Sequence, residues 1–218
     1  MKNRTLKRNE NIRSEYLRIL VITEGEKTEP LYLKEIRKSL RISSTHIAIL
    51  RSEKGTDPLS IVEYAIEVFN NGIYEKELPA QVYDRVYVVF DRDEHKTFLQ
   101  AIKLIEGKKL KNNENKDVFI QGVISIPCFE LWILLHFKKV NGHREREAVY
   151  RELKEFLPKY SKGFADSYKA TVDKLEIAYA RAKTTCNGKS VKDEPNPYTN
   201  VWELVELLHN PVEPDSKN

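Results

Sequence analysis

Hydrophobic and polar positions along the first 140 residues predict strands and helices in alternation. Four short apolar, β-branched runs lack a helical stripe and predict buried strands, at 17–23, 45–51, 84–91 and 117–127. Four segments after them predict helices, at about 28–40, 57–71, 97–109 and 128–137. The order β-α-β-α-β-α-β-α is typical of a four-stranded, mainly parallel sheet with helices on both faces.

Polar residues at the starts of two helices predict how those helices begin. Asp57 is expected to cap the second helix, with Pro58 at its first helical position. Thr28 or Glu29 can cap the first helix, and Pro30 then falls in its first turn, where the missing N–H of proline costs nothing.

From about residue 141 the strand signals end, and the chain is predicted to be mainly helical. Amphipathic segments cover 144–157, 170–183 and 200–208, and the last opens with Asn200 and Glu203 in the pattern of a capping box. No Gly/Ser-rich or Pro-rich linker precedes this region, so we expect it to pack on the sheet. The predicted organisation is a basic N-terminal arm (1–16), an α/β core (17–140) and a helical C-terminal region (141–218).

Composition and charge exclude only a few classes of function. Hydrophobic residues make up 40% of the chain, charged residues 32%, and the net charge is +4. No run approaches 18 apolar residues, the basic N-terminus lacks the apolar segment of a secretory signal, and the two cysteines form no metal-ligand spacing. We therefore expect a cytoplasmic protein. Basic residues cluster in the first eighteen positions and recur at 108–116 and 183–192, which fits a solvated face and a polyphosphate-binding face equally.

Acidic residues follow three of the predicted strands. Glu24 and Glu26 come after the first strand, Asp91 and Asp93 after the third, and Glu130 lies in the helix after the fourth. The carboxyl ends of parallel strands share one edge of a sheet, so these side chains are expected to converge there. Converging carboxylates raise one another's pKa values unless a cation lies among them. Oxygen ligands without a His or Cys cluster favour Mg²⁺ or Mn²⁺ over Zn²⁺.

Each of these acids also has a simpler interpretation. Glu24, Glu26 and Glu29 fall at the start of a predicted helix, whose N-terminus attracts negative charge, and Glu26 and Glu29 are both interpreted as helix-entry charges. The two aspartates after the third strand could simply be solvated. Glu130 lies in an apolar helix and must have a partner, which could be a first-turn backbone N–H.

Basic residues flank the acids and suggest a second kind of contact. Lys27, Arg92 and Lys96 are candidates to hold a phosphate backbone without reading its sequence. His95 is a candidate to contact a phosphate or to assist proton transfer.

Two sequence patterns resemble known proteins. A strand ending in Glu-Gly, followed two strands later by a strand ending in Asp-x-Asp, resembles the Toprim catalytic core of topoisomerases, primases and OLD-type nucleases. The chain more closely resembles the RloB family over roughly 17–209, through the successive segments EGEKTEPLYLKEI, VVFDRDEH, SIPCFELWILLHF, LPKYSKG and NPYTNVWELVELL. Topoisomerases continue the aspartate pattern as D-x-D-x-D, whereas the third position here is His95, which favours the hydrolytic members.

The resemblance implies a Toprim-like, metal-dependent nuclease or phosphodiesterase of anti-phage defence (abortive infection), acting on DNA or RNA, with tRNA among the candidates. It also implies a partner ATPase of the AAA or ABC type. By position, Glu24 would be the general base or acid, Asp91 and Asp93 metal ligands, and Glu130 an additional catalytic carboxylate, with Glu26 a further metal candidate. Mg²⁺ or Mn²⁺ would neutralise a phosphodiester and lower the pKa of an attacking water. The alternative is a non-catalytic regulatory module that docks the ATPase through its acidic edge.

Overall fold

The fold is mixed α/β, as the alternating pattern predicts. A computed structural model describes residues 17–92 and 94–211, so the predicted basic arm and Asp93 lie outside the described residues. In chain order the strands are β1 (Ile19–Thr23), β2 (Ile47–Arg51), β3 (Arg85–Asp91), β4 (Leu110–Lys111), β5 (Asp117–Ile126) and β6 (Tyr198–Thr199). The helices are α1 (Thr28–Ser39), α2 (Pro58–Asn71), α3 (Phe98–Gly107), α4 (Glu130–Leu135), α5 (Arg146–Phe156), α6 (Leu175–Cys186) and α7 (Val201–His209).

The centre of the sheet is parallel, in the order β2-β1-β3-β5. The predicted count of four strands is wrong, because β4 and β6 also pair with β5, both antiparallel and at its opposite ends. The two additional strands contain two residues each, too few to show any periodicity in the sequence. The existence of β6 also corrects the expectation that no strand follows residue 141.

Helices cover both faces of the sheet. Along β1, Ile19 and Val21 contact a cluster formed with α1 and α4–α7, whereas Leu20 and Ile22 contact a cluster formed with α2 and α3. All five residues of β1 are buried, which explains a continuous apolar run rather than an alternating one. The helices after residue 141 share the first of these clusters with the sheet. No helix in the described residues has both the length and the apolar character needed to cross a membrane.

The observed helix starts agree only partly with the predicted caps. Asp57 caps α2 as predicted, since its carboxylate accepts a hydrogen bond from the Ser60 backbone N–H at 3.1 Å. Neither Thr28 nor Glu29 caps α1. The helix begins at Thr28, and the residue at the cap position, Lys27, makes no capping hydrogen bond with its side chain.

The predicted capping box at the start of α7 is also wrong. The side-chain oxygen Oδ1 of Asn200 accepts a hydrogen bond from the Ile124 backbone N–H at 2.7 Å, and its side-chain Nδ2 donates to the Gly122 carbonyl oxygen at 3.0 Å. The Glu203 carboxylate accepts a hydrogen bond from the Gln121 side chain. These side chains fasten α7 to β5 instead of closing the first turn of the helix.

Candidate functional site

Among residues 17–92 and 94–211, four buried carboxylates meet in a cleft of about 370 Å³ at the carboxyl end of the parallel strands. Glu24 follows β1, Asp91 ends β3, and Glu130 is the first residue of α4, which follows β5. The fourth carboxylate belongs to Glu29 in the first turn of α1. We call the cleft lined by Glu24, Glu29, Asp91 and Glu130 the acidic cleft. Each of these residues is less than one-tenth exposed.

The pairing of β1 with β3 holds two of these acids together. The Glu24 backbone N–H donates to the Val89 carbonyl oxygen at 2.9 Å and continues the parallel ladder by one residue. The Asp91 backbone N–H in turn donates to a Glu24 carboxylate oxygen at 3.0 Å. The position of the Glu24 side chain is therefore fixed by the strand that carries Asp91.

Glu130 accepts hydrogen bonds from hydroxyl groups, whereas the sequence suggested a first-turn backbone N–H as its partner. The Tyr160 hydroxyl donates to Glu130 Oε1 at 2.9 Å, and the Thr28 hydroxyl donates to the same oxygen at 3.3 Å. Thr28 thus contacts the cleft instead of capping its helix. Hydrogen bonds to a buried carboxylate offset part of the cost of taking its charge out of water.

Gly25 makes room for the carboxylate of Glu29. A Cβ atom built at position 25 would overlap that carboxylate, so a side chain there would displace it from its place in the cleft. The Glu-Gly pair after β1 therefore brings one acid into the cleft directly and leaves space for a second one from α1.

Burial and mutual repulsion raise the pKa values of two of the acids. Burial raises the pKa of Asp91 well above its usual range; the negative charges of Glu29, Glu24 and Glu130 add to this, and Arg146 opposes it. Burial raises the pKa of Glu29 to about 7, and the charges of Glu130 and Glu24 contribute in the same direction. At neutral pH these side chains either retain protons or need a nearby cation.

Two cations near these acids come from the part of the chain after residue 141. An Arg146 guanidinium nitrogen lies 3.4 Å from a carboxylate oxygen of Asp91 and donates to the Pro127 carbonyl oxygen, also at 3.4 Å. The Lys162 ammonium lies 5.5 Å from the centroid of the Tyr150 ring and opposes the raised pKa of Glu29. The helical region therefore forms one wall of the acidic cleft.

The basic residues proposed from the sequence are distributed unevenly around the cleft. Lys27 is exposed and lines it. Arg92 instead pairs with Glu194 at 2.7 Å, and its guanidinium lies 5.0 Å from the centroid of the Phe98 ring. Neither His95 nor Lys96 is among the described residues that line the cleft.

The predicted metal ligand Glu26 lies at the rim of the cleft rather than among the buried acids. Its carboxylate is exposed and forms an ion pair with Arg51. Asp93 lies outside the described residues. Sequence reasoning therefore placed Glu24, Asp91 and Glu130 where the structure has them in the cleft, and it missed Glu29 as a member of the cluster.

The chemistry of the cleft fits a hard divalent cation in part. Its lining includes carboxylates and hydroxyls but no described imidazole or thiol, a donor set suited to Mg²⁺ or Mn²⁺. Among residues 17–92 and 94–211, no three His, Cys, Asp or Glu side chains are arranged to hold a metal ion. The donor types thus fit, while the described side chains do not by themselves form a coordination shell.

Comparison with known proteins identifies the family of the chain. The family model described as RloB-like protein matches residues 19–208, which include β1, all but the last residue of α7, and Glu24, Glu29, Asp91 and Glu130 of the cleft. The chain belongs to the RloB-like protein family. The resemblance to the RloB family found in the sequence is thereby confirmed. No curated protein and no solved structure matches this RloB-like protein.

Several residues of the cleft in this RloB-like protein carry weak signals in the sequence. Tyr160 and Lys162 belong to the segment LPKYSKG, one of those that carry the family resemblance, but a tyrosine and a lysine in a loop suggest no particular chemistry. Arg146 lies among alternating charges of an amphipathic helix, a pattern typical of a solvated face. Only the tertiary contacts connect these residues with the acids.

Proposed function

We propose that this RloB-like protein is a Toprim-like nuclease that hydrolyses phosphodiester bonds in DNA or RNA with Mg²⁺ or Mn²⁺. One observation carries the proposal: Glu24, Glu29, Asp91 and Glu130 are buried together at the carboxyl ends of the strands. Buried carboxylates that raise each other's pKa values are costly unless they serve chemistry or bind a cation. The antiviral role and the ATPase partner are proposed from the family resemblance alone.

In this proposal the acids of the cleft have different roles. Glu24 and Asp91 are the described side chains that would hold the metal, together with Asp93, which the sequence proposes as a ligand. A bound Mg²⁺ or Mn²⁺ would supply charge neutralisation for the phosphodiester and make an attacking water more acidic. Glu24 would serve as general base or acid. Glu130, fixed by Tyr160 and Thr28, would complete the site as an additional carboxylate.

A cleavage assay with isosteric variants tests the proposed activity. We expect the wild-type protein with Mn²⁺ to cleave at least one substrate among plasmid DNA, single-stranded DNA, total tRNA and single-stranded RNA, with the partner ATPase added in parallel reactions. Asp91→Asn and Glu24→Gln should each lower the rate by about a hundredfold or more, since each removes a charge that acts in the transition state.

Glu26→Gln is the matched control, because its carboxylate is exposed and paired with Arg51. It should cleave within about twofold of the wild-type rate, and all three variants should keep the wild-type circular dichroism. Cleavage by Asp91→Asn and Glu24→Gln at the wild-type rate would refute the proposal.

A second candidate function, a regulatory module without catalysis, is favoured by the contact between Arg146 and Asp91. In this alternative the cations of the chain itself balance the acids, and the acidic edge serves to dock the partner ATPase. It predicts that divalent ions leave the stability of the protein unchanged, whereas a functional metal site raises it by mass action.

A further inference from the structure

The loop between α5 and α6 is fixed against the acidic cleft at two points. The buried Tyr160 donates its hydroxyl hydrogen bond to Glu130 at 2.9 Å. Gly163 has a φ of 85° and packs so closely on Lys27 that a Cβ atom there would lie 3.0 Å from Cβ of Lys27. Because Lys162 lies between these two points in the chain, its backbone is held at the cleft.

The side chain of Lys162 can contact a ligand, whereas the neighbouring arginines already contact acidic side chains of the protein. Its ammonium lies over the Tyr150 ring, and within the described part of the chain it takes part in no ion pair and no hydrogen bond. Arg146 contacts Asp91, and Arg92 contacts Glu194. Lys162 is exposed and lines the cleft, and its ammonium carries three N–H donors.

A lysine at this position can offset the repulsion between the carboxylates of the cleft and a phosphate. A nucleic-acid phosphate approaching four carboxylates is repelled, and a bound metal ion would offset only part of that repulsion. A flexible ammonium is strongly attracted to a phosphate oxygen and, as a point charge, makes little demand on the orientation of the phosphate. Lys162 lines the same cleft as Glu29 and Asp91, so it is close enough to act on a phosphate bound beside them.

We propose that Lys162 binds a non-bridging phosphate oxygen of the nucleic-acid substrate at the acidic cleft, an inference that rests on the proposed nuclease function. The contact would be independent of base sequence. The substrate is thus held by the wall of the cleft that the C-terminal helical region supplies, rather than by Arg92 and Lys96 of the segment after β3.

Binding of labelled oligonucleotides tests this contact separately from catalysis. Fluorescence anisotropy of single-stranded and duplex DNA and RNA is measured for the full chain over a range of salt concentrations, with Ca²⁺ replacing Mn²⁺ to suppress cleavage. Lys162→Ala should weaken binding about tenfold for all base sequences of the bound class and should lower the slope of log affinity against log salt by about one. A residue with a merely structural role would leave that slope unchanged.

Two variants provide matched controls. Lys162→Arg keeps the charge and should bind within about threefold of wild type. Lys159→Ala removes an exposed lysine from the same loop and should leave both affinity and salt slope at the wild-type values. Equal losses in Lys162→Ala and Lys159→Ala, or a wild-type chain that binds none of the oligonucleotides, would overturn the proposal. A wild-type chain that binds through Lys162 but cleaves nothing with Mn²⁺ would refute the nuclease function and leave the phosphate contact standing.

Discussion

Glu29 links the acidic cleft to solution pH, because burial and then the charges of Glu130 and Glu24 raise its pKa from 4.5 to about 7. Between these two values the folded protein retains a proton that the unfolded chain has released. This contribution to stability is complete below 4.5 and is lost as the pH rises towards 7. In metal-free buffer we therefore expect the free energy of unfolding to fall across this window, by at most about 1.4 kcal/mol per pH unit from this group.

Urea unfolding at several values from about pH 5 to about pH 8 measures this dependence. Glu29→Gln removes the titrating group, so its stability should depend less steeply on pH and should exceed that of wild type at the alkaline end. Glu26→Gln, which changes an exposed glutamate three residues earlier in the chain, should retain the wild-type slope. Identical slopes in wild type and Glu29→Gln would show that Glu29 does not titrate in this range.

At the scale of single elements, the sequence predicts best the strands and helices that are long enough to show a recognisable hydrophobic pattern. The parallel strands have five to ten residues and produce apolar runs, whereas β4 and β6 have two residues each and produce none. Capping predictions depend on local spacing alone. Asp57 satisfies its spacing locally, while Asn200 has the same kind of signal but bonds to a strand 76 residues earlier in the chain.

Asn200 should consequently matter more for the packing of α7 on β5 than for the helix itself. Asn200→Ala leaves the Ile124 N–H and the Gly122 carbonyl without this partner, and we expect it to lower the free energy of unfolding by roughly 2 kcal/mol or more. Asn200→Asp keeps the acceptor for the Ile124 N–H, and at a pH where the new carboxyl is protonated its O–H can donate to the Gly122 carbonyl, so its loss should be smaller than that of Asn200→Ala. Asn187→Ala, at an exposed position, is the control for urea unfolding. A loss no larger than that of the control would contradict the anchoring role.

At the scale of the whole molecule, the acidic cleft contains some residues whose position the sequence predicts and others whose position it does not predict. The strand order places Glu24, Asp91 and Glu130 at one edge, and the sequence suffices for that step. Arg146, Tyr160 and Lys162 reach the same edge only because α5 and the loop after it pack beside α4. Such long-range packing leaves no periodic signal, so the sequence predicts that the helical region packs on the sheet but not that it lines the acidic cleft.

Binding of a divalent ion to the assembled cleft should stabilise the whole fold, because the unfolded chain does not hold these acids together. At a Mn²⁺ concentration a hundred times Kd, the gain is about 2.7 kcal/mol, which for a domain of this size raises Tm by roughly 5–10 °C. Protons compete with the ion for the same carboxylates, so the increase in Tm should be larger near pH 8 than near pH 5. The competition arises because the pKa values of Glu29 and Asp91 are raised.

Thermal unfolding with Mn²⁺, Mg²⁺ or EDTA at both pH values measures these shifts. Asp91→Asn should lose most of the increase and Glu26→Gln should keep it, since only the first side chain lies inside the cleft. An increase of equal size in Asp91→Asn would mean that the ion binds elsewhere. No increase in wild type at either pH would mean that the charges of Arg146 and Lys162 are enough to balance the acids, and the regulatory function would then be the better account of this fold.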